Sequence, residues 1–135
     1  MTVYNKALDD LSRIRQATMQ LAARMTSGEK IRLTTPPDDW GPNPFNAGDW
    51  KLAKPSRTNS IGAAVERIPA GSKIGPLYHD VGKSIKVLTG RCVMLHGPDI
   101  VEIGPGETID VPSFLQHEGR YPVDSTILVE WYLEA

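Results

Sequence analysis

Two stretches of the chain decide the fold: residues 71–90 read GSKIGPLYHDVGKSIKVLTG, and residues 106–121 read GETIDVPSFLQHEGRY. Each stretch begins with a glycine and carries one histidine, His79 or His117. Glycine and proline at regular intervals are typical of tight corners between short strands. The two stretches therefore indicate a set of hairpin corners, and they contain the candidate site residues.

The chain around these stretches has the pattern of an antiparallel β domain. Short runs rich in β-branched residues alternate with glycine and proline turns. The runs are residues 61–68, 84–88, 91–95, 100–103, 108–111 and 126–133. Many short strands at this spacing predict a β-sandwich or barrel.

The first stretch resembles the first sequence motif of the cupin superfamily, whose members are small jelly-roll barrels. Gly71 and Gly90 match the two ends of that motif, and His79 matches its second histidine. Leu77 stands where the motif has its first histidine, and Lys83 stands where it has a glutamate. The resemblance covers roughly residues 61–133 and implies a small single-domain cupin with degenerate metal-binding motifs.

The second stretch resembles the second cupin motif. Gly106, Pro112 and His117 match it, whereas Phe114 replaces its internal glycine and Tyr121 its terminal asparagine. The implied fold class is mainly β: a double-stranded β-helix, the cupin jelly-roll barrel, preceded by an α-helix and a proline-rich arm. We assign the barrel to residues 61–135.

The first 60 residues divide into two segments. Residues 1–28 predict an amphipathic helix, because apolar residues recur at three- and four-residue steps between positions 4 and 25. Residues 29–60 form the arm, where crowded prolines disfavour a regular helix or a central strand. Trp40, Phe45 and Trp50 lie in the arm, and we interpret them as packing anchors.

The resemblance implies a metal site made of three histidines and a glutamate, suited to Fe, Mn, Ni, Cu or Zn. Only His79 and His117 keep ligand positions here. The leucine at position 77 cannot ligate, and the Lys83 ammonium would repel a divalent cation. The sequence therefore predicts a degraded metal site. A site without metal is favoured over one that holds a divalent transition metal.

A metal-free alternative uses the same positions. If His79, Lys83 and His117 face the interior, they form a cationic, hydrogen-bonding cluster suited to a small carboxylate, phosphate or sugar acid, with Tyr121 as a further candidate. In the other interpretation, Lys83 points to solvent and the histidines have no role. We place His96 in a solvated turn.

Three hypotheses for the function stay open. The first is a cupin with a degraded metal site that binds a small molecule, an acid being one option, as a sensor or non-catalytic module. The second is a metal-dependent oxygenase or isomerase using His79 and His117, or a metal-free isomerase. The third is an assembly protein that works through the helix and the arm. Whether the protein is an enzyme is left open. We expect a homodimer or higher homo-oligomer.

The composition limits which classes of partner are expected. The formal net charge is −1 and there is no basic run, so nucleic acid and anionic membranes are not expected partners. Cys92 is the single cysteine, which excludes an intrachain disulfide, and we interpret it as a small buried thiol. The first ten residues lack a signal-peptide pattern, which predicts a cytoplasmic protein.

Overall fold

Two antiparallel sheets make up the computed structural model, which describes residues 25–26 and 36–134. The strands are β1 (Met25–Thr26), β2 (Gly41–Pro42), β3 (Asp49–Leu52), β4 (Ser60–Ile68), β5 (Ser72–His79), β6 (Gly82–Thr89), β7 (Cys92–His96), β8 (Asp99–Ile103), β9 (Thr108–Val111), β10 (His117–Tyr121) and β11 (Ser125–Tyr132). One sheet has the order β1-β5-β10-β7-β8 and the other β2-β3-β4-β11-β6-β9. All regular structure in the described residues is strand.

The core lies between the two sheets. Successive side chains of a strand alternate between faces, so each strand presents one apolar row inward. Val87 and Val129 of the larger sheet pack in one cluster with Met94 and Ile103 of the smaller sheet. Burying side chains of this size stabilises the fold by roughly 1.5–3 kcal/mol each. The mixed cluster shows that the two sheets pack face to face.

All six predicted runs coincide with strands, but two further strands come from the motif stretches themselves. β5 contains Gly75 and Pro76, joined by a cis peptide bond, and its register against β10 shifts at that point. β10 carries a glycine and two charged residues and lacks a β-branched run. The sequences of β5 and β10 do not show a strand pattern, because proline, glycine and charged residues are depleted in ordinary strands.

Most of the predicted N-terminal helix lies outside the described residues. Met25 and Thr26 belong to its last turn, and for these two residues the prediction is wrong. They form a strand paired with His79 and Tyr78 of β5. Among the described residues, no helix is long and apolar enough to cross a membrane.

The expectation that the arm contains no central strand is also wrong. β3 lies between β2 and β4 in the larger sheet. Trp50 and Leu52 alternate inward along β3 and are buried, and this apolar row outweighs the prolines nearby. Phe45 meets Trp50 edge to face with ring centroids 5.5 Å apart. The Arg67 guanidinium lies 3.6 Å from the centroid of the Trp40 ring.

Candidate functional site

The four motif positions that would form a cupin ligand set all face the interior. His117 of β10 is the cross-strand neighbour of Leu77 on β5. His79 lies two residues beyond Leu77 and therefore on the same face of β5. Lys83 on β6 comes from the opposite sheet and is only 8% exposed. We call His79, Lys83 and His117 the interior cluster.

The two histidines of the cluster face each other. Their ring centroids are 5.2 Å apart with an interplanar angle of 67°. The Nδ1 atom of His79 is 2.9 Å from the Val81 carbonyl oxygen, and that of His117 is 2.9 Å from the Leu115 carbonyl oxygen. Because a carbonyl oxygen only accepts, each Nδ1 is assigned the proton.

Both imidazoles are neutral near pH 7. Burial, and after it the positive charge of Lys83, lower the pKa of His79 to about 4 and that of His117 to about 3. With the proton on Nδ1, each Nε2 carries a lone pair. Both Nε2 atoms are buried and neither has a hydrogen-bond partner. The histidines therefore present two free acceptors to the interior.

Lys83 is held inside the sheets, so the interpretation that it points to solvent is wrong. Burial lowers its pKa to about 8, and the negative charge of Glu66 opposes that shift. The side chain is still mostly an ammonium at pH 7. Its strand neighbours are Trp131 of β11 and Val111 of β9, both buried.

Glu66 is a member of this environment that the sequence analysis missed. It is 6% exposed, and its Oε1 accepts hydrogen bonds from Asn43 at 2.9 Å and Asn46 at 3.0 Å. Burial raises its pKa, whereas Lys83 and the two amides lower it. The signal was present: Glu66 shares a strand face with Ala64 and Ile68, and a charge on an apolar row is unusual.

Tyr121 also faces inward, two residues beyond Gly119 on β10. It is 2% exposed, and its side chain hydrogen-bonds that of Cys92. Burial raises the pKa of the phenol well above its usual value, so the hydroxyl stays protonated. Cys92 is buried as predicted. A ligand-binding role for Tyr121 stays a prediction.

A loop over residues 112–116 links the two histidines. The Phe114 amide donates to the His79 carbonyl at 2.8 Å, and the Leu115 carbonyl accepts from His117. Phe114 has φ of 64° at the position where the cupin motif has glycine. A non-glycine residue in this region costs roughly 1–2 kcal/mol. The loop keeps the glycine-like backbone although its residue differs, and the phenyl ring is 69% exposed.

Other neighbours are placed outside the cluster. His96 is the last residue of β7, so its predicted place in the turn is wrong, and its Nε2 donates an exposed hydrogen bond to the Asp110 carbonyl at 2.8 Å. Glu118 points away from the interior, where Arg120 donates to it at 2.6 Å and Lys73 approaches to 3.7 Å. The adjacent carboxylate therefore does not complete a ligand set.

With the geometry in place, comparison with solved structures identifies the architecture. An RmlC-like cupin from Shewanella frigidimarina aligns with a TM-score of 0.62, covering 82% of this chain and 95% of its own, at 10% identity. The fold is that of the cupins. KdgF from a Halomonas species aligns at 0.59 with 17% identity, covering 72% of this chain and 87% of its own.

An acetylacetone dioxygenase from Acinetobacter johnsonii also shares the cupin fold, with a TM-score of 0.57 and 19% identity. It covers 79% of this chain and 75% of its own. No protein-family model matches the sequence, and the search of curated proteins gives no match. Similarity at these identities shows the fold, and one fold hosts many functions.

The cupin fold implies a metal, and the donor set can be tested against one. No group of three His, Cys, Asp or Glu side chains suited to a metal exists among the described residues. The four motif positions offer two imidazole nitrogens, an alkyl side chain at Leu77 and an ammonium at Lys83. Typical first-row metal sites need three or four protein donors. This donor set does not fit.

Proposed function

We propose that this cupin-fold protein binds a small acidic ligand between its two sheets, with the Lys83 ammonium paired to the ligand's carboxylate or phosphate. The observation that carries the proposal is the burial of Lys83 beside two neutral imidazoles with unpartnered Nε2 atoms. The proposal concerns binding and assigns no reaction.

The energetics of Lys83 favour an anionic partner. Moving an ammonium out of water is costly unless a countercharge and hydrogen bonds accompany it. Glu66 supplies part of the countercharge, but its Oε1 is already engaged by Asn43 and Asn46. A ligand carboxylate would add charge-assisted hydrogen bonds inside the low-dielectric interior, where such bonds are strong.

The charge distribution around Lys83 does not suit a cation. The two histidines carry no charge near pH 7, so the charges acting here are those of Lys83 and of the carboxylates Glu66 and Asp80. After burial, the charge of Lys83 is the next cause that lowers both imidazole pKa values, so Lys83 contributes a positive potential at both rings, which Asp80 opposes at His79. An anion is attracted by this potential, whereas a divalent metal is repelled.

The proposal is tested by calorimetric titration at pH 6.5 with acetate, oxalate, succinate and inorganic phosphate. We expect at least one to bind, and the Lys83→Met variant to lose at least tenfold in affinity, because methionine keeps the unbranched shape without the charge. Lys86→Met is the matched control, since Lys86 lies on the same strand but is exposed on the other face. Failure of all four probes, or equal effects of the two variants, would overturn the proposal.

The competing hypothesis, a metal-dependent oxygenase or isomerase using His79 and His117, is separated by elemental analysis of protein purified without chelators. Near-stoichiometric metal that disappears in a His79→Ala, His117→Ala double variant would favour the metal enzyme over the acid-binding site. Absence of metal after supplementation with Fe, Mn, Ni, Cu and Zn salts would contradict it.

A further inference from the structure

Three buried polar atoms without hydrogen-bond partners lie on the residues that build this site: Nε2 of His79, Nε2 of His117 and Nε1 of Trp131. Buried polar groups in native proteins are nearly always paired, because an unpaired one costs about 1–3 kcal/mol. Atoms of this kind on the residues around Lys83 describe the chemistry of a molecule that would satisfy them.

The three atoms divide into two acceptors and one donor. Both Nε2 atoms carry lone pairs, because each Nδ1 proton is directed at a carbonyl oxygen. The Trp131 indole only donates. Trp131 is the cross-strand neighbour of Lys83, so the two side chains leave the same face of the sheet from adjacent strands. The complementary molecule therefore accepts at one end and donates at the other.

The donating end must supply two hydrogens, one for each imidazole. A single hydroxyl has one hydrogen, so two hydroxyls on one ligand would satisfy both acceptors. An ammonium group would also donate, but it would lie in the positive potential of Lys83. Neutral hydroxyls match this position better than a cationic amine does.

We infer that the ligand is a dihydroxy or polyhydroxy acid: its carboxylate accepts from Lys83 and Trp131, and two of its hydroxyls donate to the Nε2 atoms of His79 and His117. This inference rests on the acid-binding function proposed above and specifies the ligand class. It assigns the two histidines to recognition of hydroxyl groups, in place of a metal.

The test uses three acids that differ only in hydroxyl number: succinate, malate and tartrate, the last two as both enantiomers. We expect the affinity at pH 6.5 to rise by about threefold or more with each hydroxyl, in one enantiomeric series, as a net gain of one hydrogen bond per step. Aspartate, which replaces the malate hydroxyl with an ammonium, should bind more weakly than malate.

Single variants identify the acceptors. His79→Leu and His117→Leu should each remove the gain in affinity from one hydroxyl. The affinity for succinate, which has no hydroxyl, should stay within about twofold. If a leucine variant does not fold, His79→Gln and His117→Gln place an amide oxygen near the Nε2 position and should keep part of the preference. In the wild-type protein, nitrogen NMR should show both histidines protonated at Nδ1, with tartrate shifting both Nε2 resonances.

The outcomes distinguish the two levels of the proposal. Equal affinity for succinate, malate and tartrate would overturn the hydroxyl assignment and leave acid binding intact. Failure of these acids and of the simple acids would overturn both. Protonation at Nε2, or a hydroxyl preference that survives both leucine variants, would also contradict the inference.

Discussion

Two buried polar sites in this molecule are built in opposite ways. Glu130 lies on the outer face of β11 and is 4% exposed. Its carboxylate accepts from the Ser56 amide at 2.9 Å, the Ser56 hydroxyl at 2.7 Å and the Arg57 amide at 3.1 Å. Donors within the chain therefore hydrogen-bond this carboxylate. In the interior cluster, by contrast, both histidines leave their Nε2 atoms unpaired.

The difference is the one expected between a structural site and the ligand site proposed above. A polar group kept for stability is paired within the fold, because leaving it unpaired would cost part of a small total stability. A binding site keeps atoms unpaired in the free protein and holds them in position through secondary contacts. The Nδ1–carbonyl bonds of His79 and His117 are such contacts, since they set the tautomer and the ring orientation.

Acidification should affect the interior cluster more than any single substitution. The pKa values of His79 and His117 are about 4 and about 3 in the folded protein, against 6.5 for a free side chain. Below pH 6.5 the unfolded chain therefore binds more protons, and the folded state loses stability as the pH falls toward 4. Each ring should contribute on the order of 3 kcal/mol. Urea unfolding at pH 7 and pH 4 measures the loss.

The control is the His79→Leu, His117→Leu double variant. It should match the wild-type protein within about 1 kcal/mol at pH 7, because each leucine removes an unpaired atom together with one hydrogen bond. It should lose much less stability between pH 7 and pH 4. Lys83 does not contribute in this range, since it is protonated in both states. An unchanged pH slope in the double variant would show that carboxylates, and not these rings, cause the acid loss.

Glu130→Ala should cause the next largest loss of stability, because the Glu130 carboxylate is hydrogen-bonded within the chain. The substitution leaves two backbone amides and a hydroxyl without their acceptor, and we expect about 3 kcal/mol of destabilisation. Urea unfolding at pH 7 measures it. Glu102→Ala is the control: Glu102 pairs with Arg91 at 2.8 Å, but both side chains are 56% exposed, so the loss should be about 0.5 kcal/mol. Equal losses would contradict the structural role of Glu130.

Comparison of the strands shows which parts of the fold follow from the sequence. Gly71, Gly90 and Gly106 have φ values of 83°, 90° and 84°, a conformation that glycine adopts readily, so the predicted corners have a local cause. The β-branched runs between them also specify their strands locally. β5 and β10 could not be recognised in this way, because they depend on pairing with each other and with β7.

The site was only partly predictable for a related reason. Motif spacing placed His79, Lys83 and His117 at equivalent positions, but the direction of Lys83 depends on the pleat register of β6. The tautomers of the histidines depend on the turns after His79 and before His117, which no local pattern encodes. Glu66 enters the same environment from a distant strand, and that proximity exists only after the sheets pack.

Glu66 combines features of both sites, and Glu66→Gln gives the smallest predicted effect. Its Oε1 is paired to Asn43 and Asn46, as in a structural site, yet its charge acts on Lys83 of the proposed ligand site. A bound acid and Glu66 therefore compete for the same ammonium. We expect Glu66→Gln to tighten succinate binding at pH 6.5 by about fivefold, or roughly 1 kcal/mol, because the competing charge is removed.

The same substitution should change the pH at which binding is lost. Glu66 raises the pKa of Lys83, so its removal moves that pKa below about 8, and succinate binding should weaken at a lower pH than in the wild-type protein. Asp49→Asn is the control, because it removes a carboxylate that pairs with Arg67 at the surface and should change neither quantity. Weaker binding of succinate in Glu66→Gln at pH 6.5 would contradict this prediction. It would mean that Glu66 supports the bound acid and does not compete with it for Lys83.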